Sequence, residues 1–108
     1  LPVWSGNDDL TVPLLSLGAK GVISVLSNVR PKRTLQMVRA CQAGDYAAAG
    51  RMQVSLTPLI DALFSEINPI PVKQALSLMG IPAGLPLTPL SATHLPALEQ
   101  ALSAAPEP

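Results

Sequence analysis

Cysteine and histidine each occur once in this chain, and only three of its 108 residues are aromatic. Each shortage excludes a class of function. A lone Cys41 cannot close an intramolecular disulfide, which fits a reducing compartment. It falls at an apolar position of a helical pattern, where a thiol serves as a small buried hydrophobe rather than a nucleophile. His94 and Cys41 together are too few ligands for a metal centre, so neither metal nor cofactor is expected. Trp4, Tyr46 and Phe64 leave little for nucleic-acid bases to stack on. Seven basic and seven acidic residues cancel, so no electrostatic footprint for nucleic acid exists either. The nearest approach to one, Arg30, Lys32, Arg33 and Arg39, reads as the solvated start of a helix.

Long hydrophobic runs are missing too. No apolar stretch reaches membrane-spanning length, and prolines interrupt the longest ones. No positively charged segment leads into an apolar core, so no signal peptide is visible. The expectation is a soluble, cytoplasmic protein with no membrane partner.

What the chain does contain, with 48% hydrophobic residues, is apolar side chain enough for one globular domain. Residues 1–5 read as a short strand, with Pro2 tolerable near its start. Gly6 permits a sharp turn, and Asp8, Asp9 or Thr11 can cap the helix that follows. For Asp8 and Asp9, capping is preferred over acid–base chemistry. Leu10, Leu14, Leu15 and Leu17 are apolar at helical spacings, with Pro13 in the first turn and Gly18 as the stop. Residues 22–26 (VISVL) are β-branched and almost continuously apolar, as in a parallel strand buried on both faces. Strand, short helix and strand make a right-handed βαβ unit.

From Pro31 the pattern turns helical. Leu35, Val38 and Cys41 mark one helix that stops at Gly44. Asp45 caps the next, where Met52, Leu56, Leu59, Ile60 and Leu63 keep a 3.6-residue stripe and Pro58 predicts a kink or a split. Asn68-Pro69 reads as a cap with proline at the first helical position, opening a third stripe of Val72, Ala75, Leu76 and Met79 that ends at Gly80. Residues 82–89 hold three prolines and read as an extended connector. A last helix from about Ser91 carries Leu95, Leu98 and Leu102, near His94 and Pro96, and the tail AAPEP is expected to fray. Two strands followed by helices form an unbalanced domain, because two adjacent strands make neither a barrel nor a stable open sheet.

Two long motifs carry a family resemblance. The stretch SGNDDLTVPLLSLGAKGVISVLSNVRP closely resembles the seventh and eighth barrel strands, with their connecting helix, of the 4-hydroxy-tetrahydrodipicolinate synthase family. NPIPVKQALSLMGIPAGLPLTPLS is similar to the C-terminal helical region of that family. The resemblance implies an α/β fold: the C-terminal part of a (β/α)8 barrel, contributing two parallel strands, followed by a C-terminal helical extension. Residues 1–30 would be the last βαβ unit, and 31–108 the final barrel helix and the helical region. A whole barrel takes about 250 residues, so the chain, which opens on LPVWSG without an initiator Met, is expected to be the last part of one.

The activity so implied is a lyase of lysine and diaminopimelate biosynthesis that condenses pyruvate with L-aspartate 4-semialdehyde through a Schiff base. The expected assembly is a homotetramer. The Schiff-base lysine and proton-shuttle tyrosine of the family belong to strands before Leu1, so no catalytic residue is expected in this chain, and the chain alone is expected to be inactive. Lys20, Lys73 and Tyr46 match neither position, and Ser24 and Ser27 have no histidine near them in sequence. What the chain is expected to supply is pocket wall: Ile23, whose backbone carbonyl would lie near pyruvate, and Gly6 and Asn7 through their backbone. One departure stands out: the family commonly has Arg directly before Leu-Pro-Leu, where this chain has Gly84. A sugar-acid aldolase of the same superfamily, such as an N-acetylneuraminate lyase or a keto-deoxy-sugar aldolase, shares the pyruvate half of the chemistry. A noncatalytic helical interaction module is the third possibility; it would require the apolar stretch 22–26 to be covered without neighbouring strands.

Overall fold

The computed structural model describes residues 1–85 and 88–108. Its regular structure is helical: α1 (Thr11–Ser16), α2 (Pro31–Gln42), α3 (Tyr46–Leu63), α4 (Ile70–Leu78) and α5 (Leu95–Ala104), with single 3-10 turns at Asp8–Leu10 and Leu26–Asn28. Helix α3 is the hub and packs against α1, α2, α4 and α5. Its stripe of Leu56, Leu59 and Leu63 meets Met37 of α2 and Leu98 of α5 in one core that also takes in Leu26 and Val29, all at most 1% exposed. Among the described residues no helix is long and apolar enough to cross a membrane.

The helix boundaries follow local chemistry. The Asp45 carboxylate accepts the N–H of Ala48 at 3.1 Å, satisfying one of the donors that the first turn of α3 leaves free. Gly44 and Gly80, just past α2 and α4, adopt φ of 79° and 78°, the left-handed stop that glycine takes without steric cost.

Several expectations need correction. In place of two strands, the described residues contain one isolated parallel bridge, Ser5 to Val22. The second segment cannot continue as a strand because the Asp8 carboxylate takes the N–H groups of Val25 and Leu26, at 2.9 and 3.0 Å, and the backbone turns into the 3-10 turn Leu26–Asn28. Nor is it buried on both faces: Ile23 is 75% exposed. Pro58 does not split α3; Pro58 and Val54, whose carbonyl loses its partner, both lie on the exposed side, where water can replace the missing bond. In α2 the buried face is Thr34, Met37 and Cys41, while Leu35 is exposed. Pro69 sits at the cap of α4, with Pro71 in its first turn. Helix α5 starts at Leu95, after a turn in which Ser91 O accepts from His94 N and Leu95 N. Of the expected connector, Pro86 and Leu87 fall outside the described residues.

The C-terminal tail does not fray. Arg30, 6% exposed, donates from its guanidinium to the carbonyls of Ala105, Leu102 and Val29, the last two at 2.9 and 2.6 Å. It thereby supplies positive charge and donors to the carbonyl end of α5. In return Glu107 accepts the N–H groups of Lys32 and Arg33 at 3.0 and 3.2 Å, placing a carboxylate at the N-terminus of α2. Each helix end is thus satisfied by a residue flanking the other.

A second fastening joins the chain after α3 to the start of α5. Glu66 Oε2 lies 2.7 Å from His94 Nδ1 and accepts the N–H of Ser91 at 3.0 Å. The His94 hydrogen bond, and then those from Ser91, hold the Glu66 carboxyl below its ordinary range. A carboxyl depressed in the folded state contributes stability above its unfolded value and loses it as pH falls through the folded one. Thermal midpoints followed from about pH 6 to about pH 3 should therefore fall less steeply in Glu66→Gln than in the parent; equal slopes would remove this contribution.

Candidate functional site

The Ser5–Val22 bridge sets the geometry of the expected wall. Ser5 N donates to Gly21 O and Ile23 N donates to Ser5 O, both at 2.9 Å, and Lys20 N donates to Val3 O at 2.8 Å. Gly6 and Ile23, the residues following the bridged pair, are therefore brought side by side. Among the described residues no donor reaches the carbonyl oxygen of either. Asn7 is different. Its carbonyl accepts Ser5 Oγ at 2.8 Å and Leu10 N at 3.1 Å, and its N–H donates to Ser5 Oγ at 3.2 Å, so its backbone is occupied in holding the turn. A Cβ added at Gly6 would meet nothing within 4 Å, and its φ is not left-handed; the packing of this chain alone does not require glycine there.

The acidic turn has a different job from the one expected. No side-chain cap bond forms at the start of α1, and Asp8 faces the 22–28 segment instead. Its carboxylate, on a residue 2% exposed, accepts hydrogen bonds from Val25 N, Leu26 N and Ser24 Oγ. Ser24 Oγ in turn accepts Ser27 N at 2.9 Å, which commits the hydroxyl to structure rather than nucleophilic attack. The start of α1 is satisfied from α3: Gln53 Oε1 accepts Val12 N at 3.1 Å while Gln53 Nε2 donates to Asp8 O at 3.0 Å. Sequence reasoning passed over Gln53. The available signal was a polar amide at a position in register with Leu56 and Ile60 on the apolar face of α3.

A shallow cleft of about 230 Å³ opens beside the turn, lined by Asn7, Asp8, Asp9, Ile60, Asp61 and Phe64. Among the described residues no three His, Cys, Asp or Glu side chains converge as a metal would require. A more apolar groove of about 340 Å³ runs from Trp4 and Val22 to Leu35 and Val38. There the indole of Trp4 lies so close over Gly21 that a Cβ would meet it at 2.6 Å.

The other reactive side chains are placed elsewhere. Lys73 Nζ donates to Leu85 O at 3.3 Å, and Lys20 is exposed just before the bridge. The Tyr46 hydroxyl reaches Leu15 O at 3.4 Å, a long contact. Cys41 is buried, and burial pushes its thiol up, keeping it protonated and unreactive.

Residues 1–105 match the Dihydrodipicolinate synthetase family. The chain belongs to that family. It is 49% identical over 105 residues to the 4-hydroxy-tetrahydrodipicolinate synthase of Methanocaldococcus jannaschii, an alignment covering 94% of this chain and 36% of the relative. It superposes with a TM-score of 0.91 on a crystal structure of dihydrodipicolinate synthase, at 48% identity, covering 95% of this chain and 37% of that one. The chloride-inhibited dihydrodipicolinate synthase of Acinetobacter baumannii, solved with pyruvate, aligns with a TM-score of 0.89 at 38% identity, over 96% of this chain and 37% of that one. The chain spans roughly a third of the length of these family members.

Proposed function

We propose that this chain is the closing part of a (β/α)8 barrel enzyme that condenses pyruvate with L-aspartate 4-semialdehyde to 4-hydroxy-tetrahydrodipicolinate, in lysine and diaminopimelate biosynthesis. Residues 1–30 supply the last βαβ unit, and 31–108 the final barrel helix and the helical extension. The pairing that sets Gly6 beside Ile23 supports this function most directly, because the family resemblance assigns both residues to the wall around pyruvate. Exposed Ile23, Trp4 and Val3, at 75%, 56% and 55%, fit strand segments that neighbouring barrel strands cover.

In this scheme a lysine from another strand adds through Nζ to C2 of pyruvate and loses water to form the Schiff base. Loss of a C3 proton then gives the enamine, whose C3 attacks the aldehyde carbon of the semialdehyde. The Ile23 carbonyl, which no donor among the described residues reaches, accepts a hydrogen bond from the protonated Schiff-base nitrogen or from a substrate hydroxyl beside it. Gly6 presents backbone where a side chain would intrude. No cofactor enters the scheme. The working enzyme is a cytoplasmic homotetramer, and the 108 residues alone are inactive.

The test is a condensation assay of the complete enzyme with pyruvate and either L-aspartate 4-semialdehyde or a sugar aldehyde. Turnover of the semialdehyde supports the synthase; preference for the sugar would make the protein a sugar-acid aldolase. Absence of both reactions would leave a noncatalytic module.

A further inference from the structure

We propose that Asp8 is a positioning residue for the pyruvate wall, fixing the orientation of the Ile23 carbonyl; this rests on the function proposed above. Asp8 follows Gly6 and Asn7 directly, and its carboxylate binds the three residues that follow Ile23: Ser24 through its hydroxyl, Val25 and Leu26 through their N–H groups. One side chain therefore ties the two halves of the wall together. The Ile23 carbonyl belongs to the peptide unit shared with Ser24, so holding Ser24 and Val25 limits rotation of that unit. The Val25 and Leu26 N–H groups are also donors that open the 3-10 turn at Leu26, and the carboxylate satisfies both. Asp8 thereby decides where extended backbone ends.

The anchor is itself held. Asp8 O accepts Gln53 Nε2 at 3.0 Å and Thr11 Oγ1 at 3.1 Å, so α3, through Gln53, fixes the residue from the core side. A carboxylate is required because three donors converge on it. An asparagine in its place offers one oxygen and turns an NH2 toward at least one N–H or O–H donor. The resulting shift of the Ser24 peptide would move the Ile23 carbonyl, and misplacement by a fraction of an ångström weakens an interaction with a bound substrate.

The test uses the complete enzyme carrying Asp8→Asn or Ser24→Ala, with separate KM values for pyruvate and the semialdehyde, and borohydride trapping of the pyruvate adduct. Asp8→Asn is expected to raise the pyruvate KM about tenfold and to leave the semialdehyde KM within about twofold. Ser24→Ala, which removes one of the three bonds, is expected to raise the pyruvate KM about threefold, and it decides the matter if Asp8→Asn does not fold. A role in stability alone would lower the melting temperature and the fraction of active enzyme while leaving both KM values unchanged, and that result would overturn the positioning role. A parent enzyme that traps no pyruvate would instead overturn the proposed function, and the positioning role with it.

Discussion

Arg30→Met is expected to destabilise the protein by about 3 kcal/mol. Methionine keeps most of the apolar stem and removes every donor. The guanidinium serves the carbonyls of Ala105, Leu102 and Val29 and touches Met79 Sδ, and both Leu102 and Ala105 are buried. Burial holds the Arg30 guanidinium below its ordinary value, partly offset by the charge of Glu107. The substitution relieves that desolvation, so the loss comes from carbonyls left buried without a donor, each worth about 1–3 kcal/mol. Arg30→Lys is expected to lose about half as much, since one ammonium cannot reproduce a fork that reaches the carbonyls of Leu102, Ala105 and Val29 at once. Denaturant midpoints at constant slope measure both effects. A change of less than about 0.5 kcal/mol in Arg30→Met would mean that water replaces the guanidinium without penalty.

Leu63→Ala should cost a similar amount, about 3 kcal/mol within a usual span of 2–5 for a fully buried leucine. Leu63 is 0% exposed and closes the stripe of α3, the helix that touches every other one. Truncation removes transfer energy and leaves a cavity that surrounding helix backbones cannot collapse to fill. Val54→Ala on the same helix, at a residue 72% exposed, serves as the control and should stay within about 0.5 kcal/mol. Equal effects at the two sites would contradict the placement of the core on the Leu56–Leu63 face.

The helices were legible because their signals are local. A capping Asp45, the stripe from Leu56 to Leu63 and the stops at Gly44 and Gly80 each act within a few residues, and the structure has them where the spacing requires. What could not be read is what depends on distant partners. Asp8 is a cap, but for a turn seventeen residues on rather than the adjacent helix. The tail looked free because its partners, Arg30 and the first turn of α2, lie more than seventy residues earlier. Residues 22–26 have the composition of a buried strand, yet one bridge is all that two segments sustain without further neighbours. The candidate site was legible only through family resemblance, since Gly6 and Ile23 carry no reactive group and matter through backbone.

The central claim, that this chain builds the wall of a Schiff-base site whose nucleophile lies elsewhere, is tested most directly by trapping. The complete protein is treated with pyruvate and borohydride, digested, and its lysine-bearing peptides are weighed. The prediction is one reduced pyruvate adduct on a lysine outside these 108 residues, with the peptides containing Lys20, Lys32 and Lys73, the chain's own lysines, unmodified. An adduct on any of those three, or none on the protein, would contradict it.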